Sequence, residues 1–138
     1  MLVSNEGMAS MSDRKKILVI DDDPDVRQII RTVAERYGLD VAIACDGKKA
    51  QESLLELEQY SAVFLDLLMP YVSGWEVLDS IKSSPFGEQM PVVIISGAPI
   101  SGKEKENLMQ KVTAFVSKET FSLKVFEELF RSVMDKIR

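Results

Sequence analysis

Residues 17–23 of the chain read ILVIDDD, an unbroken aliphatic run that ends in three consecutive carboxylates. A run of this kind predicts a strand buried on both faces, as in a parallel sheet. A second apolar run, residues 62–65, also ends in an acid, Asp66, and later apolar runs lead to Ser96 and Lys118. Because ligands of open parallel α/β sheets bind beyond the carboxyl ends of the strands, we expect these side chains to meet at one edge.

The rest of the chain alternates short apolar runs with amphipathic segments. The apolar runs predict strands over residues 16–20, 40–45, 61–65, 91–95 and 113–116. Five strands that alternate with five helices predict an α/β fold, a flavodoxin-like doubly wound parallel sheet in the order 2-1-3-4-5. That order places the first and third strands, the two that end in acid, side by side.

Helical spacing of apolar residues supports the intervening helices. The first helix is expected to begin at Pro24, with Asp22 or Asp23 as its N-cap, and to end at Gly38. A helix predicted over residues 101–111 has few apolar side chains, so it is only weakly anchored. The second predicted helix depends on Ala50, Leu54 and Leu57.

Composition narrows the function classes. The 138 residues suffice for one domain, which we assign to residues 15–138 after a flexible leader of residues 1–14. The net charge of −5 argues against binding to nucleic acid or to a membrane surface. The chain has no histidine, which excludes histidine acid–base chemistry and histidine metal ligands, and its single cysteine excludes an internal disulfide.

The acidic strand ends predict a site for a hard cation and a phosphoryl group. Crowded carboxylates repel one another, and a cation held by oxygen relieves that cost. We therefore expect Mg²⁺, with Mn²⁺ as a substitute, bound directly by Asp22 and Asp66 and through water by Asp21. A carboxylate beside the metal can act as a nucleophile toward phosphorus. Lys118 and the Ser96 hydroxyl would bind the phosphoryl oxygens, and Gly97 would leave room for them.

These residues resemble the receiver domain of two-component response regulators, the CheY-like family. The matching motifs, in chain order, are ILVIDDD at 17–23, DLLMP at 66–70 with Gly74, IISG at 94–97 and FVSK at 115–118. Each motif is weak alone, but each stands at a predicted strand end and their order matches the family. The resemblance covers residues 15–138.

The resemblance implies a role for each site residue. Asp66 corresponds to the phosphoacceptor, and Asp21 and Asp22 correspond to the acidic pair for Mg²⁺. The backbone carbonyl of Leu68 would complete the metal ligands. Ser96 corresponds to the switch hydroxyl, Lys118 to the site lysine and Phe115 to the switch aromatic.

The resemblance also implies partners and a place in the cell. The phosphoryl donor would be a phosphohistidine of a sensor histidine kinase or of a phosphotransfer protein. The domain would act as a cytoplasmic signalling switch rather than as an enzyme. It would present the face of the fourth helix, fifth strand and fifth helix to an unknown downstream protein, as a monomer or a phosphorylation-dependent dimer.

Two positions depart from the family pattern. The residue after the site lysine is usually proline, often after a cis bond, whereas here it is Glu119. A non-proline cis bond costs about 2.5–4 kcal/mol, so we expect a trans bond and an acid that weakens the hold of Lys118 on phosphate. The apolar Leu68, two residues beyond Asp66, cannot orient an attacking water, so we expect a persistent phosphoryl-aspartate.

Two other functions fit parts of the pattern. A phosphatase of the haloacid-dehalogenase type also carries Asp-x-Asp at a strand end, which residues 21–23 match superficially. That motif requires Thr or Val where this chain has Asp25, and the chain is short for that family. A degenerate receiver that binds its partner regardless of phosphorylation is the other alternative, and Glu119 is the one feature that favours it.

Overall fold

The computed structural model describes residues 14–69 and 72–137, which form one five-stranded parallel sheet in the order β2-β1-β3-β4-β5. The predicted flavodoxin-like fold is therefore confirmed. The bounds of the strands are β1 Lys16–Ile20, β2 Asp40–Ala44, β3 Ala62–Leu65, β4 Val92–Ser96 and β5 Ala114–Ser117.

Within the described residues, five α-helices cover the two faces of the sheet. Their bounds are α1 Pro24–Arg36, α2 Gly47–Ser53, α3 Gly74–Ser83, α4 Gly102–Met109 and α5 Leu123–Met134. Helices α1 and α5 pack on one face through a core that includes Ile30 and Phe126. Helices α2, α3 and α4 pack on the other through a core that includes Ala50, Leu78 and Leu108.

Successive residues of β1 explain why both faces are covered. Ile17 and Val19 point into the α1–α5 core, and Leu18 and Ile20 point into the opposite one. All four side chains are fully buried. The unbroken aliphatic run therefore holds β1 at the centre of the sheet, between β2 and β3.

Helix α1 begins and ends close to where the sequence predicts. Asp23 is its N-cap and accepts hydrogen bonds from the backbone N–H groups of Asp25 and Val26. Pro24 occupies the first turn, and Gly38 follows the helix with a φ of 73°. A positive φ costs glycine little because it has no Cβ.

The predicted second helix is wrong in its second half. The α-helix ends at Ser53, and the segment Leu54–Gln59 forms a 3-10 helix in which Glu56 departs from helical geometry. Leu54 and Leu57 still pack into the core on the side of the sheet that α2, α3 and α4 cover. Residues three apart share a face in either type of helix, so their spacing could not distinguish the two.

The other element bounds differ slightly from prediction. Strands β4 and β5 are shifted by one residue, to Val92–Ser96 and Ala114–Ser117, so Ser96 is itself a strand residue and pairs with Ser117. The bond between Lys118 and Glu119 is trans, as the sequence predicts. In the part of the chain that is described, no helix combines the length and the apolarity needed to cross a bilayer. The predicted leader falls on residues 1–13, outside the described residues, and on Arg14.

Candidate functional site

Four strands deliver their terminal side chains to one edge of the sheet. Asp21 follows β1, Asp66 follows β3, Ser96 ends β4 and Lys118 follows β5. The ladder continues past the strands, because the backbone N–H of Asp66 donates to the carbonyl of Ile20 at 2.9 Å. The sheet register therefore fixes the distances between these residues.

Asp66 lies at the centre of the site with only 2% of its surface exposed. Its Oδ1 accepts hydrogen bonds from the Ser96 hydroxyl at 2.9 Å and from the backbone N–H of Leu68 at 3.0 Å. Its Oδ2 accepts from the Lys118 ammonium at 3.0 Å. A buried carboxylate with hydrogen bonds from three directions is held in one orientation.

Lys118 connects the acidic residues of the site. Its Nζ lies 3.0 Å from Asp66 Oδ2, 3.2 Å from Asp21 Oδ1 and 3.7 Å from Asp23 Oδ2. Burial alone would lower the pKa of Lys118, but the hydrogen bond that Lys118 donates to Asp66 and the charges of Asp21 and Asp66 outweigh burial and raise that pKa. The ammonium therefore stays charged and partly neutralises the carboxylates around it.

The neutralisation of Asp21 is incomplete. The pKa of Asp21 is raised from 3.8 to about 6, chiefly by burial and also by the charge of Asp66, although the hydrogen bond from the Asp23 backbone N–H and the nearby Lys118 ammonium act to lower it. The side chain is almost fully buried, with its Oδ1 2.8 Å from the Asp23 backbone nitrogen. Ionised Asp21 is thus costly in the site as it stands, and an additional cation would reduce that cost.

Asp22 completes the acidic set on the solvent side. It is exposed, and its carboxylate accepts no hydrogen bond from the described residues. One carboxylate oxygen each from Asp21, Asp22 and Asp66 lies within 4.8 Å of the others. Three oxygen donors at this spacing fit a hard divalent cation that keeps several waters, so the residues present suit Mg²⁺.

Leu68, Gly74 and Gly97 shape the loops around the site. Leu68 donates its N–H to Asp66 while 57% of its surface remains exposed. A Cβ on Gly74 would come within 2.3 Å of the Asp66 carbonyl oxygen, so glycine is required for α3 to pack against this loop. Of the described residues, a Cβ on Gly97 would meet only Lys118, whose Cβ is 3.9 Å away, so space is open beside Ser96. The metal-ligand role of the Leu68 carbonyl stays a prediction.

Phe115 lies outside this cluster, on β5. Its ring is half-buried against the core under α4, and the ammonium of Lys105 lies 5.4 Å from the ring centroid. The strand register pairs Phe115 with Ile94, two residues before Ser96. The aromatic ring is therefore next to the strand that carries the site hydroxyl.

Two contacts of the site were not anticipated. Asp23, one of the two predicted N-caps of α1, also approaches Lys118, and the N–H of Ala98 donates to the Ser96 hydroxyl at 3.1 Å. A third consecutive acid in ILVIDDD was the available signal for Asp23. The contact of Ala98 depends on the path of the chain after β4, for which the sequence offers no signal.

Comparison with protein families places the site in a wider context. The family model described as "Response regulator receiver domain" matches residues 17–129. The N-terminal domain of a response regulator receiver protein from Methanoculleus marisnigri is 27% identical, with a TM-score of 0.65 over 86% of this chain and 92% of that one. The receiver domain of a Pseudomonas aeruginosa sensor histidine kinase, with magnesium coordinated in its active-site cleft, has a TM-score of 0.71. It is 23% identical over 90% of this chain and 98% of that one, which supports the fold alone.

Curated relatives match the chain at moderate identity. Protein PilG of Pseudomonas aeruginosa is 30% identical over 64% of this chain and 65% of its own length. A probable transcriptional regulator of Porphyridium aerugineum is 30% identical over 90% of this chain and 50% of its own length. The chain spans less than two thirds of the length of these relatives.

Proposed function

The chain belongs to the response regulator receiver domain family, and on that premise we propose that it is a phosphorylation-dependent switch with Asp66 as the phosphoacceptor. The donor is a phosphohistidine of a sensor histidine kinase or of a phosphotransfer protein. A carboxylate oxygen of Asp66 forms the new bond to phosphorus as the phosphorus–nitrogen bond breaks. The imidazole nitrogen leaves with the electron pair and takes up a proton.

One observation carries the proposal: the buried Asp66 carboxylate lies among a hydroxyl, an ammonium and two further carboxylates. The Ser96 hydroxyl is 2.9 Å away and the Lys118 ammonium 3.0 Å away. Asp21 and Asp22 bring their oxygens within 4.8 Å of Asp66. This set combines a nucleophile, a cation site and donors for phosphoryl oxygens, the components that phosphoryl transfer requires.

In this proposal Asp21, Asp22, Asp66 and the Leu68 carbonyl hold Mg²⁺, for which Mn²⁺ can substitute. When bound, the metal neutralises charge on the phosphoryl oxygens. Lys118 leaves its ion pair with Asp66 Oδ2 and binds a phosphoryl oxygen instead. Because Lys118 is already 3.0 Å from the acceptor, it need move little.

Ser96 links phosphorylation to the partner surface. Its hydroxyl turns from Asp66 Oδ1 to a phosphoryl oxygen, Gly97 leaves space for that oxygen, and Phe115 moves inward. Phosphorylation would shift the relative populations of these two conformations. The α4–β5–α5 face then binds a downstream protein. In this proposal the protein is cytoplasmic, and it acts as a switch rather than as an enzyme with turnover. The switch works as a monomer or through a phosphorylation-dependent dimer.

Covalent labelling tests the proposal directly. The protein is incubated with Mg²⁺ and acetyl phosphate, and intact mass is measured. We expect the gain of one phosphoryl group, lost in Asp66→Ala and retained in Asp79→Ala, which removes an exposed carboxylate of α3 as a matched control. Labelling that survives in Asp66→Ala contradicts the assignment of the acceptor.

Two further outcomes would point to the alternatives. Continuous hydrolysis of a generic phosphate ester, without a stoichiometric label, would favour a haloacid-dehalogenase-type phosphatase. Partner binding that is the same with and without the label, and in Asp66→Ala, would favour a degenerate receiver.

A further inference from the structure

The chain reverses direction immediately after β5, in a turn that carries Lys118. The backbone N–H of Thr120 donates to the carbonyl of Ser117 at 3.1 Å, so Lys118 and Glu119 are the two central residues of the turn. The hydroxyl of Ser117 accepts the N–H of Glu119 at 3.2 Å. The hydroxyl of Thr120 donates to the Ser117 carbonyl at 3.3 Å. Serine hydroxyls stabilise turns through such bonds to the backbone two residues on.

The chain on both sides of this turn is fixed by other contacts. On the strand side, the N–H of Lys118 donates to the Ser96 carbonyl at 3.1 Å and extends the β4–β5 ladder by one residue. On the helix side, the ring of Phe121 packs edge-on against Phe126 in the core, with 5.6 Å between ring centroids. The turn between these anchors depends on its own hydrogen bonds.

The direction of this turn matters because the Lys118 side chain is long and flexible. Its ammonium must reach Asp66 and Asp21 from the far side of β4 through a four-carbon stem. The path of that stem begins with the Cα–Cβ bond, which the backbone of the turn orients. A small rotation of the turn would therefore displace the ammonium from both carboxylates.

Glu119 explains why the hydroxyl is needed here. A proline at this position, as the family pattern has it, would fix its own φ by its ring and would offer no N–H. Glu119 has a free φ and retains the N–H, which Ser117 accepts. Its carboxylate makes no ion pair with Lys118 among the described residues. The hydrogen bond thus supplies the constraint that a ring would otherwise supply.

We propose that Ser117, assisted by Thr120, is a positioning residue that orients Lys118 toward the phosphoryl site. This inference rests on the proposed function for its consequence, but its geometric content concerns Lys118 alone. Among the described residues Ser117 makes no hydrogen bond to Asp66 or to the acidic cluster, and it acts through the backbone of the turn.

The first measurement needs no phosphoryl transfer. The amine of each lysine is acetylated with a limiting amine-reactive reagent, and rates are compared by peptide mass spectrometry. Ser117→Ala is expected to raise the rate at Lys118 several-fold and to leave Lys105 and Lys124 unchanged. Ser117→Thr, which keeps a hydroxyl, and Glu119→Ala, which keeps the N–H, are expected to match the wild type. An unchanged rate at Lys118 in Ser117→Ala overturns the inference.

The second measurement uses beryllofluoride, a phosphoryl mimic, as the probe, with Mg²⁺ affinity measured alongside. Ser117→Ala, which loses one hydrogen bond of the turn, is expected to weaken beryllofluoride binding by about three- to tenfold. Thr120→Val is expected to weaken it by less. Mg²⁺ affinity is expected to stay within twofold, which general unfolding of the site would not allow. In a Lys118→Ala background, Ser117→Ala is expected to have no further effect on beryllofluoride affinity.

The outcomes separate this inference from the proposed function. A further loss of beryllofluoride affinity from Ser117→Ala in the Lys118→Ala background overturns the positioning role. A wild-type protein that neither binds beryllofluoride nor accepts phosphate overturns the proposed function, and the acetylation rates then still decide whether Ser117 orients Lys118.

Discussion

The Ser96 hydroxyl donates a 2.9 Å hydrogen bond to Asp66 Oδ1 across the carboxyl ends of two neighbouring strands. Both side chains are buried, with 1% and 2% of their surfaces exposed. The hydroxyl also accepts the N–H of Ala98 at 3.1 Å, so it fixes the loop that follows β4. One side chain therefore connects the acceptor carboxylate to the backbone on the side of α4.

Replacement of Ser96 should separate phosphorylation from its conformational response. We expect Ser96→Ala to be labelled at Asp66, because the nucleophile and the acids remain. The response at Phe115 should be lost, as followed by the ring NMR signals with and without beryllofluoride. The free energy of unfolding should fall by about 0.5–1.5 kcal/mol for the lost hydrogen bond. Ser96→Thr should respond like the wild type, and a full Phe115 response in Ser96→Ala would contradict the coupling.

Asp21 should make the protein less stable as pH rises through the weakly acidic range. Its pKa is 3.8 for an unperturbed side chain and about 6 in the fold, so the folded state binds more protons between these values. Stability from this group is therefore present below about pH 4 and is lost as pH approaches 6, by up to about 3 kcal/mol.

Because the chain carries many other carboxylates, the quantity to measure is the difference in unfolding free energy between Asp21→Asn and the wild type. Urea unfolding should show that Asp21→Asn becomes progressively more stable than the wild type between pH 4 and 6. At pH 7, Mg²⁺ should stabilise the wild type and have little effect on the variant. A difference that does not vary with pH would contradict the raised pKa.

Asp22 should be important for metal binding and unimportant for stability. Its carboxylate is exposed, so Asp22→Asn should change the free energy of unfolding by no more than about 0.5 kcal/mol. Calorimetric Mg²⁺ affinity should fall by about tenfold or more, since one ligand is lost. Asp25→Asn, an exposed acid in the first turn of α1, is the control and should bind Mg²⁺ normally. Equal affinities for the two variants would remove Asp22 from the metal site.

The sequence predicts the positions that follow from strand order and misses those that follow from tertiary contacts. Asp66 and Asp21 could be placed together because each follows a strand of one parallel sheet. The 3-10 segment Leu54–Gln59 could not be foreseen, since its leucine spacing fits two helix types. The contact of Lys105 with Phe115 joins α4 to β5, and no local pattern specifies that pairing.

Leu68 should prolong the life of the phosphoryl group. Its N–H donates to Asp66, but its side chain projects largely into solvent and has no group that could orient a water for attack on phosphorus. Leu68→Asn should therefore shorten the half-life of the label several-fold, as followed by intact mass after removal of acetyl phosphate. Leu68→Met, which remains apolar, should resemble the wild type. A label that decays within seconds in the wild type, at a rate unchanged in Leu68→Asn, would contradict this role.

Lys105 should restrain Phe115 in its half-buried conformation. The ammonium lies 5.4 Å from the ring centroid, within the range of a cation–π interaction of about 0.5–1 kcal/mol. In the proposed switch Phe115 moves inward and leaves this contact, so removal of the Lys105 ammonium should favour the phosphorylated conformation. Lys105→Met should then bind beryllofluoride about two- to fivefold more tightly.

The controls for this prediction use the same helix and the same ring. Lys105→Arg keeps a cation over Phe115 and should bind like the wild type, and Lys103→Ala removes an exposed cation of α4 that has no described contact with the ring. With Phe115→Leu as the second substitution, a double-mutant cycle on the free energy of unfolding should give a coupling of about 0.5–1 kcal/mol. Tighter beryllofluoride binding without that coupling would mean that Lys105 acts through the general charge of α4, because only a direct contact depends on the aromatic ring.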